Sequence, residues 1–482
     1  MDLNELEKWD SKILDLVKQF GLNCYPQEFE VCDHFEMLGY MAYSGMPSRY
    51  PHWSFGKSYE REKTLYDYGV GGLPYEMVIN SNPCLAYLMR DNTELLQILT
   101  IAHVYGHNDF FANNFTFTSS IDAQYTLEMF KNHGKRIRDY IEDPSIGIEK
   151  VETFIDSAHA LSLARSANLA IPKLSRKEQQ QRAWQNAQPP QDNYRDIHPQ
   201  HQYVQPDLSK IPLHPEQNIL EFIADHNPSL EDWQRDILYI VDLEARYFIP
   251  QIETKIMNEG WASYWHYKIL NELNLAQGHH MEFLVRHNQV LRPTPGGLNP
   301  YHLGFIIWCD IEKRWNEGNT GQEYSDDDIV DISAMNENET PGRKKIFNVR
   351  LSDRDSSFLR RFMTEDIMRS LDIFQHEKRG KERVITKVSD EESWKSVKES
   401  MIKNIGMGSI PKIFVTDADH GGTRTLYLKH EHDGRDLQLD YAERTIQHIN
   451  QLWGKECVLE TIVNGRKSVL RVVGNTLKVD RV

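Results

Sequence analysis

Two histidines four residues apart, and a glutamate and a histidine seven apart further along the chain, have the types and spacing that chemistry at a metal ion needs. Leu96 to Phe111 (LQILTIAHVYGHNDFF) is apolar almost throughout, the pattern of a buried helix, and it carries His103 and His107 at i and i+4. Helical geometry puts such a pair on one face, where two imidazoles can grip one ion. With 20 histidines in 482 residues, about 0.8 such pairs arise by chance, so the pair alone equally describes a hydrogen-bonded core. A second long helix carries Glu259 and His266, which share a face about two turns apart. Trp261, Tyr264, Trp265 and Tyr267 surround them, and a carboxylate among such rings is costly unless it is paired or binds a cation. If the two helices pack face to face, His103, His107, Glu259 and His266 form a set suited to zinc or iron. In that set His266 either completes the shell or acts as acid/base. The alternative is a buried Glu–His hydrogen bond.

The pairing resembles gluzincin-type metallopeptidases. In these, one helix gives H-E-x-x-H and a later helix gives the third ligand as a glutamate, in some groups within a stretch like Glu259-Gly260-Trp261-Ala262. The glutamate after the first histidine is there the general base, and this chain has Val104 at that position. Another carboxylate must take the role if the site hydrolyses anything. Glu76, in the apolar segment Tyr75-Glu76-Met77-Val78-Ile79, is the candidate, because apolar surroundings raise a carboxyl pKa toward the useful range.

The elements expected to position these residues are mainly α-helical. At 482 residues the chain exceeds what one core usually fills. A helical domain is expected from 1–171 and 219–315 together. The segment 172–218, rich in Gln, Asn, Lys, Arg and Pro, reads as a polar linker, and 316–345 as an acidic one. After a helical lead-in, 346–482 reads as a smaller α+β domain, with strands at 383–388, 412–416, 424–430, 456–463 and 467–473 and helices at 391–404 and 437–453. Met1 to Phe20 has the spacing of an amphipathic helix. Another helix is expected from Ser229 to Phe248, with Pro250 as a boundary before one from Gln251 to Leu275. Glycine at 260 weakens that helix by about 1 kcal/mol relative to alanine, so a packing or functional reason for it is expected.

The formal net charge of −16, with no long Lys/Arg stripe, argues against nucleic acid as a partner. The five widely spaced cysteines form no C-x-x-C pair and read as reduced thiols. No stretch approaches the roughly 18–20 apolar residues of a membrane span, and cytoplasmic residence without membrane insertion is the expectation. Asn80, Ser81 and Asn82 either orient a substrate amide or make an Asx turn before Pro83. Asp417, Asp419 and His420 ahead of Gly421-Gly422 read as a hairpin turn rather than a metal loop.

Several longer strings resemble the SpoVR family (stage V sporulation protein R). They are Gly45-Met46-Pro47, Tyr50 to Lys57 (YPHWSFGK), Val78 to Cys84 (VINSNPC), His103 to Asn114 and Met257 to Tyr267. Weaker likeness extends through Asn299-Pro300-Tyr301 and Leu303-Gly304-Phe305 to Leu452-Trp453-Gly454. The resemblance implies a cytoplasmic bacterial protein of a family named for a role in endospore cortex formation, with relatives also in bacteria that make no spores. It further implies a stress-linked assembly with a PrkA-type serine kinase and a von Willebrand A-like protein, beside whose genes relatives are often encoded. Two functional classes stand side by side: a metal-dependent enzyme, as a hydrolase or through redox chemistry at iron, and a non-enzymatic regulatory or scaffold protein.

Overall fold

A computed structural model describes residues 2–68, 76–188, 205–293, 297–318, 340–371, 375–379, 382–387, 393–474 and 476–481. The fold is mainly α, with a smaller strand-containing carboxyl-terminal region. The chain forms two compact units, one of residues 1–138 and 247–409 and the other of 139–246 and 410–482. Both are discontinuous, so this division cuts across the one expected from composition: 346–409 joins the unit of the histidine helix, and 139–171 joins that of the carboxyl-terminal sheet.

The first unit is built around the Glu94–Asn113 helix, buried along nearly its whole length from Leu95 to Phe111. A helix apolar on every side must be enclosed by others, and Leu3–Gln19, Lys255–Glu272 and Gln277–Val290 pack around it. Small residues set the closest crossings. A Cβ on Gly106 would stand 2.6 Å from Ala262 Cα, and one on Gly260 would stand 2.4 Å from Gly304 Cα, in the Pro300–Asn316 helix. Gly260 is therefore a packing residue, the reason its helix tolerates the lost propensity. The amino end of the Lys255–Glu272 helix is fixed by Asp355, which accepts the Ile256 and Met257 N–H groups at 2.8 and 2.9 Å, satisfying two of the donors that a helix start leaves open.

A three-stranded sheet lies in this unit where only helices and loops were expected. Its central strand, Cys84–Met89, is buried at every residue, pairs parallel to Gln27–Cys32 and antiparallel to Glu76–Ile79. The expected boundary at Pro250 is also displaced. The helix runs Asp232–Glu253 through that proline, and the break comes at Thr254, whose hydroxyl donates to the Pro250 carbonyl at 2.7 Å. A single proline removes only one helical hydrogen bond, and the following helix then starts at Lys255 and ends at Glu272.

The second unit holds a five-stranded sheet ordered Thr476–Arg481, Arg466–Val473, Cys457–Val463, Thr425–His430, Ile413–His420. Its one parallel pair, Thr425–His430 with Cys457–Val463, is joined through the amphipathic Leu439–Trp453 helix. Thr476–Arg481 is a strand that the sequence did not announce. Gly421 and Gly422, both at positive φ, turn the hairpin between Ile413–His420 and Thr425–His430. Within the expected polar linker, Arg176–Ala187 is a helix started by a Ser175–Glu178 capping box. Gly71-Gly72 and the linker portions 189–204 and 319–339 lie outside the described residues. No helix among the described residues is long and apolar enough to cross a membrane.

Candidate metal centre

His103 and His107 project from one face of the Glu94–Asn113 helix with ring centroids 4.7 Å apart. The crossing at Gly106 and Ala262 brings the Lys255–Glu272 helix against that face, and with it Glu259. Its Oε2 stands 3.5 Å from His107 Nε2 and 3.9 Å from His103 Nε2, and the three ligand atoms lie within 4.8 Å of one another. Two ligands about 2.1 Å from one tetrahedral ion stand about 3.4 Å apart, so small side-chain movements suffice to close this triad on zinc or iron. Glu259 Oε2 is itself buried and, among the described residues, has no partner within hydrogen-bonding geometry. A carboxylate oxygen left so among imidazole nitrogens is costly unless a cation meets it, and the donor set therefore fits a metal.

Glu76, at the start of the Glu76–Ile79 strand, brings Oε1 to 3.9 Å from His103 Nε2. Burial pushes its carboxyl up, His103 draws it back, and Glu259 pushes it further up. For Glu259 burial acts in the same upward sense, but the imidazoles of His103 and His107 and the Tyr301 hydroxyl outweigh it and hold the carboxyl below its usual range. Two carboxyls within reach of one imidazole are thus driven apart, one toward the protonated and one toward the ionised form, the pattern that separates an acid/base group from a ligand. Burial, then the charge of His103, brings His107 down to about 4, which leaves it neutral and able to ligate near pH 7.

The far nitrogens of both histidines are engaged. His107 Nδ1 meets Asn258 Oδ1 at 2.9 Å, which makes Nδ1 the protonated nitrogen and leaves the Nε2 lone pair for an ion. His103 Nδ1 meets His266 Nδ1 at 2.9 Å, and His266 Nε2 meets His287 Nδ1 at 2.8 Å. Each neutral imidazole carries one N–H, so this chain has two proton registers. If His103 donates, its Nε2 lone pair faces the carboxylates and His266 donates on to His287. The reverse register points an N–H of His103 at Glu259 and Glu76. A metal selects the first.

His266, expected as a fourth ligand or as acid/base, is not brought into the triad, and both its nitrogens meet other histidines, His103 and His287. The spacing explains this. Seven residues rise about 10 Å along a helix, too far for Glu259 and His266 to meet one ion, and His266 stands level with the far side of His103. Val104 is fully buried in the core, and the carboxylates beside the histidines come from other elements, Glu259 from the Lys255–Glu272 helix and Glu76 from the Glu76–Ile79 strand.

A cavity of about 470 Å³ opens beside the cluster, lined by Glu76, Val78, His107, Lys255, Glu259 and Tyr301 among others. Sequence reasoning missed Asn258, His287, Tyr301 and Lys255. Asn258 adjoins Glu259 and Tyr301 belongs to the quoted Asn299-Pro300-Tyr301 string, so both carried a signal. His287 stands apart from every quoted string.

Two family models match the chain: "SpoVR like protein" over residues 1–410 and "SpoVR-like C-terminal domain" over residues 411–464. The chain is also 32% identical over 477 residues, 94% of its length and 91% of the relative's, to a protein of Escherichia coli (strain K12) named "Uncharacterized protein YcgB". No solved structure matches it. The first model spans every element of the histidine and carboxylate cluster, and the second begins where the strands of the carboxyl-terminal sheet begin; on that match the chain belongs to the SpoVR family.

Proposed function

We propose that this protein is a metal-dependent hydrolase of the bacterial cytoplasm, with His103, His107 and Glu259 as ligands and Glu76 as the acid/base group. One observation carries the reading: the buried, unbonded Oε2 of Glu259 lies between two imidazole Nε2 atoms whose other nitrogens are already hydrogen-bonded. When bound, zinc or iron would supply Lewis-acid polarisation of a carbonyl and of water. Glu76 would then take a proton at Oε1 from the attacking water and return it to the leaving group. Its raised pKa suits both directions of transfer. Tyr301, beside Glu259 in the cavity wall, orients the ligand carboxylate.

The experiment is metal content by mass spectrometry on untagged protein purified without chelators, for wild type, His107→Ala and Glu259→Ala. Near-stoichiometric zinc or iron, lost in both variants, supports the site. Wild-type protein that stays metal-free after reconstitution sinks it, and leaves a regulatory or scaffold protein whose helices are held by a buried polar network. Iron with a visible absorption band would turn the reading to redox chemistry.

The SpoVR resemblance supports a wider proposal, that the protein acts in sporulation or a stress response together with a PrkA-type serine kinase and a von Willebrand A-like protein. Co-purification of these two with the chain from its own cells tests this. Their absence would refute the assembly.

A further inference from the structure

We infer that the face of the Glu76–Ile79 strand leads from the candidate metal centre to a second subsite, at Asn80, that binds an uncharged peptide amide. The turn at Asn80-Ser81-Asn82-Pro83 had two readings, and the structure separates them. Ser81 N–H and Ser81 Oγ bond the carbonyls of Ile79 and Pro83 at 2.9 and 2.8 Å, and Asn82 N–H bonds the Ala123 carbonyl at 3.0 Å. Asn80 contributes only its backbone N–H, to the Tyr247 hydroxyl at 3.1 Å. Its side chain takes no part in the turn. The residue is 4% exposed and its Oδ1 is buried without a hydrogen-bond partner. Such a group costs about 1–3 kcal/mol, which a purely structural turn has no reason to carry.

Asn80 is among the residues lining a cavity of about 280 Å³ whose walls include Phe111, Phe117 and Ile121. The hydroxyls of Ser119 and Ser120, also in the wall, are spent on the carbonyls of Phe115 and Phe117. Among the described residues no lysine or arginine lines this cavity, and its one acidic side chain, Asp122, accepts the Gln124 N–H at 3.0 Å, so the wall offers no cation to a carboxylate or phosphate. An asparagine amide presents a carbonyl and an NH₂ side by side, the complement of the C=O and N–H of a peptide group. Glu76 and Val78 alternate along the Glu76–Ile79 strand and so share a face, and Asn80 follows directly after the strand ends. The first two line the cavity at the metal centre and the third lines this one, with Phe111 in the wall of both. Four strand residues span about 13 Å, the length of an extended tetrapeptide. Calling the bound peptide a substrate rests on the hydrolase reading; its binding does not.

The test uses the full chain, stripped of metal by chelator, with N-acetyl-triglycine amide as probe in ligand-observed saturation-transfer NMR. The expected result is transfer to this peptide and at least tenfold weaker binding of N-acetyl-trisarcosine dimethylamide, which has the same backbone without any amide N–H. Asn80→Leu should lose the triglycine signal at least tenfold while melting no lower than wild type, since it removes an unsatisfied amide. Asn80→Asp, which keeps the shape but loses the NH₂ donor, should weaken binding as well and provides a second variant if the leucine fails to fold. No transfer to wild type, equal binding of the N-methylated peptide, or unchanged binding by a folded Asn80 variant would overturn the subsite. Metal content measured on a reconstituted portion of each preparation keeps the two proposals separate: peptide binding by protein that takes up no metal on reconstitution would refute the hydrolase alone.

Discussion

Replacing Gly260 by alanine should destabilise the protein and loosen the metal centre together, although alanine is the better helix former. Propensity favours the variant by about 1 kcal/mol. Against it, the new Cβ would meet Gly304 Cα and C at 2.4 Å and the Phe305 amide nitrogen at 2.8 Å. These are backbone atoms of the Pro300–Asn316 helix, which cannot turn aside as a side chain can. An ordinary contact needs about 3.5 Å, so the helices must part by roughly 1 Å. Overpacking of this kind costs about 3 kcal/mol at the upper end of the usual range, and the net loss should be about 2 kcal/mol. Glu259 is the preceding residue, and its Oε2 already stands 3.5 Å from His107 Nε2. Shifting it by roughly 1 Å should weaken metal binding by 10- to 100-fold, as does losing a residue that orients a ligand. Urea denaturation of the metal-free protein reads the first effect, and competition with a chromophoric chelator reads the second. A Gly260→Ala protein as stable as wild type, with undiminished metal affinity, would refute both the close crossing and its role in aiming Glu259.

Two further outcomes follow from buried charge. Asp109 is fully buried and accepts from Arg350, Trp261 and the Asn23 backbone N–H at 2.8, 2.9 and 2.7 Å. Asp109→Asn strands the arginine and should cost about 3–5 kcal/mol; a urea midpoint equivalent to less than about 1 kcal/mol of loss would contradict the pairing. Stability of the metal-free protein should peak near pH 6.5, by opposing linkages. Burial, then the charge of His103, depresses His107 and His287 to about 4, so their contribution is lost as pH falls from 6.5 through 4, whereas Asp355, pushed by burial up to about 8, contributes stability that is lost as pH rises through 8. A denaturation profile still rising between pH 6.5 and 8 would count against the Asp355 assignment.

Helices of the first unit were legible where burial is one-sided or complete. Leu3–Gln19 has an amphipathic stripe, and Glu94–Asn113 is too long and too apolar for a strand. The sheet was not legible, because its central strand is a six-residue apolar run and its partner Gln27–Cys32 lies more than fifty residues away in sequence. Pairing at that distance leaves no local periodicity. The two-unit division escaped composition for a similar reason, since 139–246 and 410–482 come together only through tertiary contacts. At the candidate site, His103 and His107 were legible as a pair from face-sharing, Glu259 from a carboxylate set among aromatic rings, and Glu76 from the mismatch between a carboxylate and its apolar neighbours. The role of His266 was not. Face-sharing gives direction around a helix axis but not height along it, and height separates a ligand from the residue that orients a ligand.

The same distinction bears on Val104. In an H-E-x-x-H helix the base and the ligands come from one rigid element, and their spacing is set by the helix itself. Here the candidate base, Glu76, comes from a strand, and its distance depends on how the sheet packs against the Glu94–Asn113 helix. A glutamate at position 104 would be fully buried in the core, unable to reach either the cavity or a compensating cation, and would cost several kcal/mol. Valine there is what the packing of this helix demands. Moving the carboxylate to the strand puts it on the face that also carries Val78, with Asn80 directly beyond the strand's end, so that one cavity is lined by Glu76 and Val78 and the other by Asn80. The departure at Val104 therefore relocates a candidate base toward the two cavities.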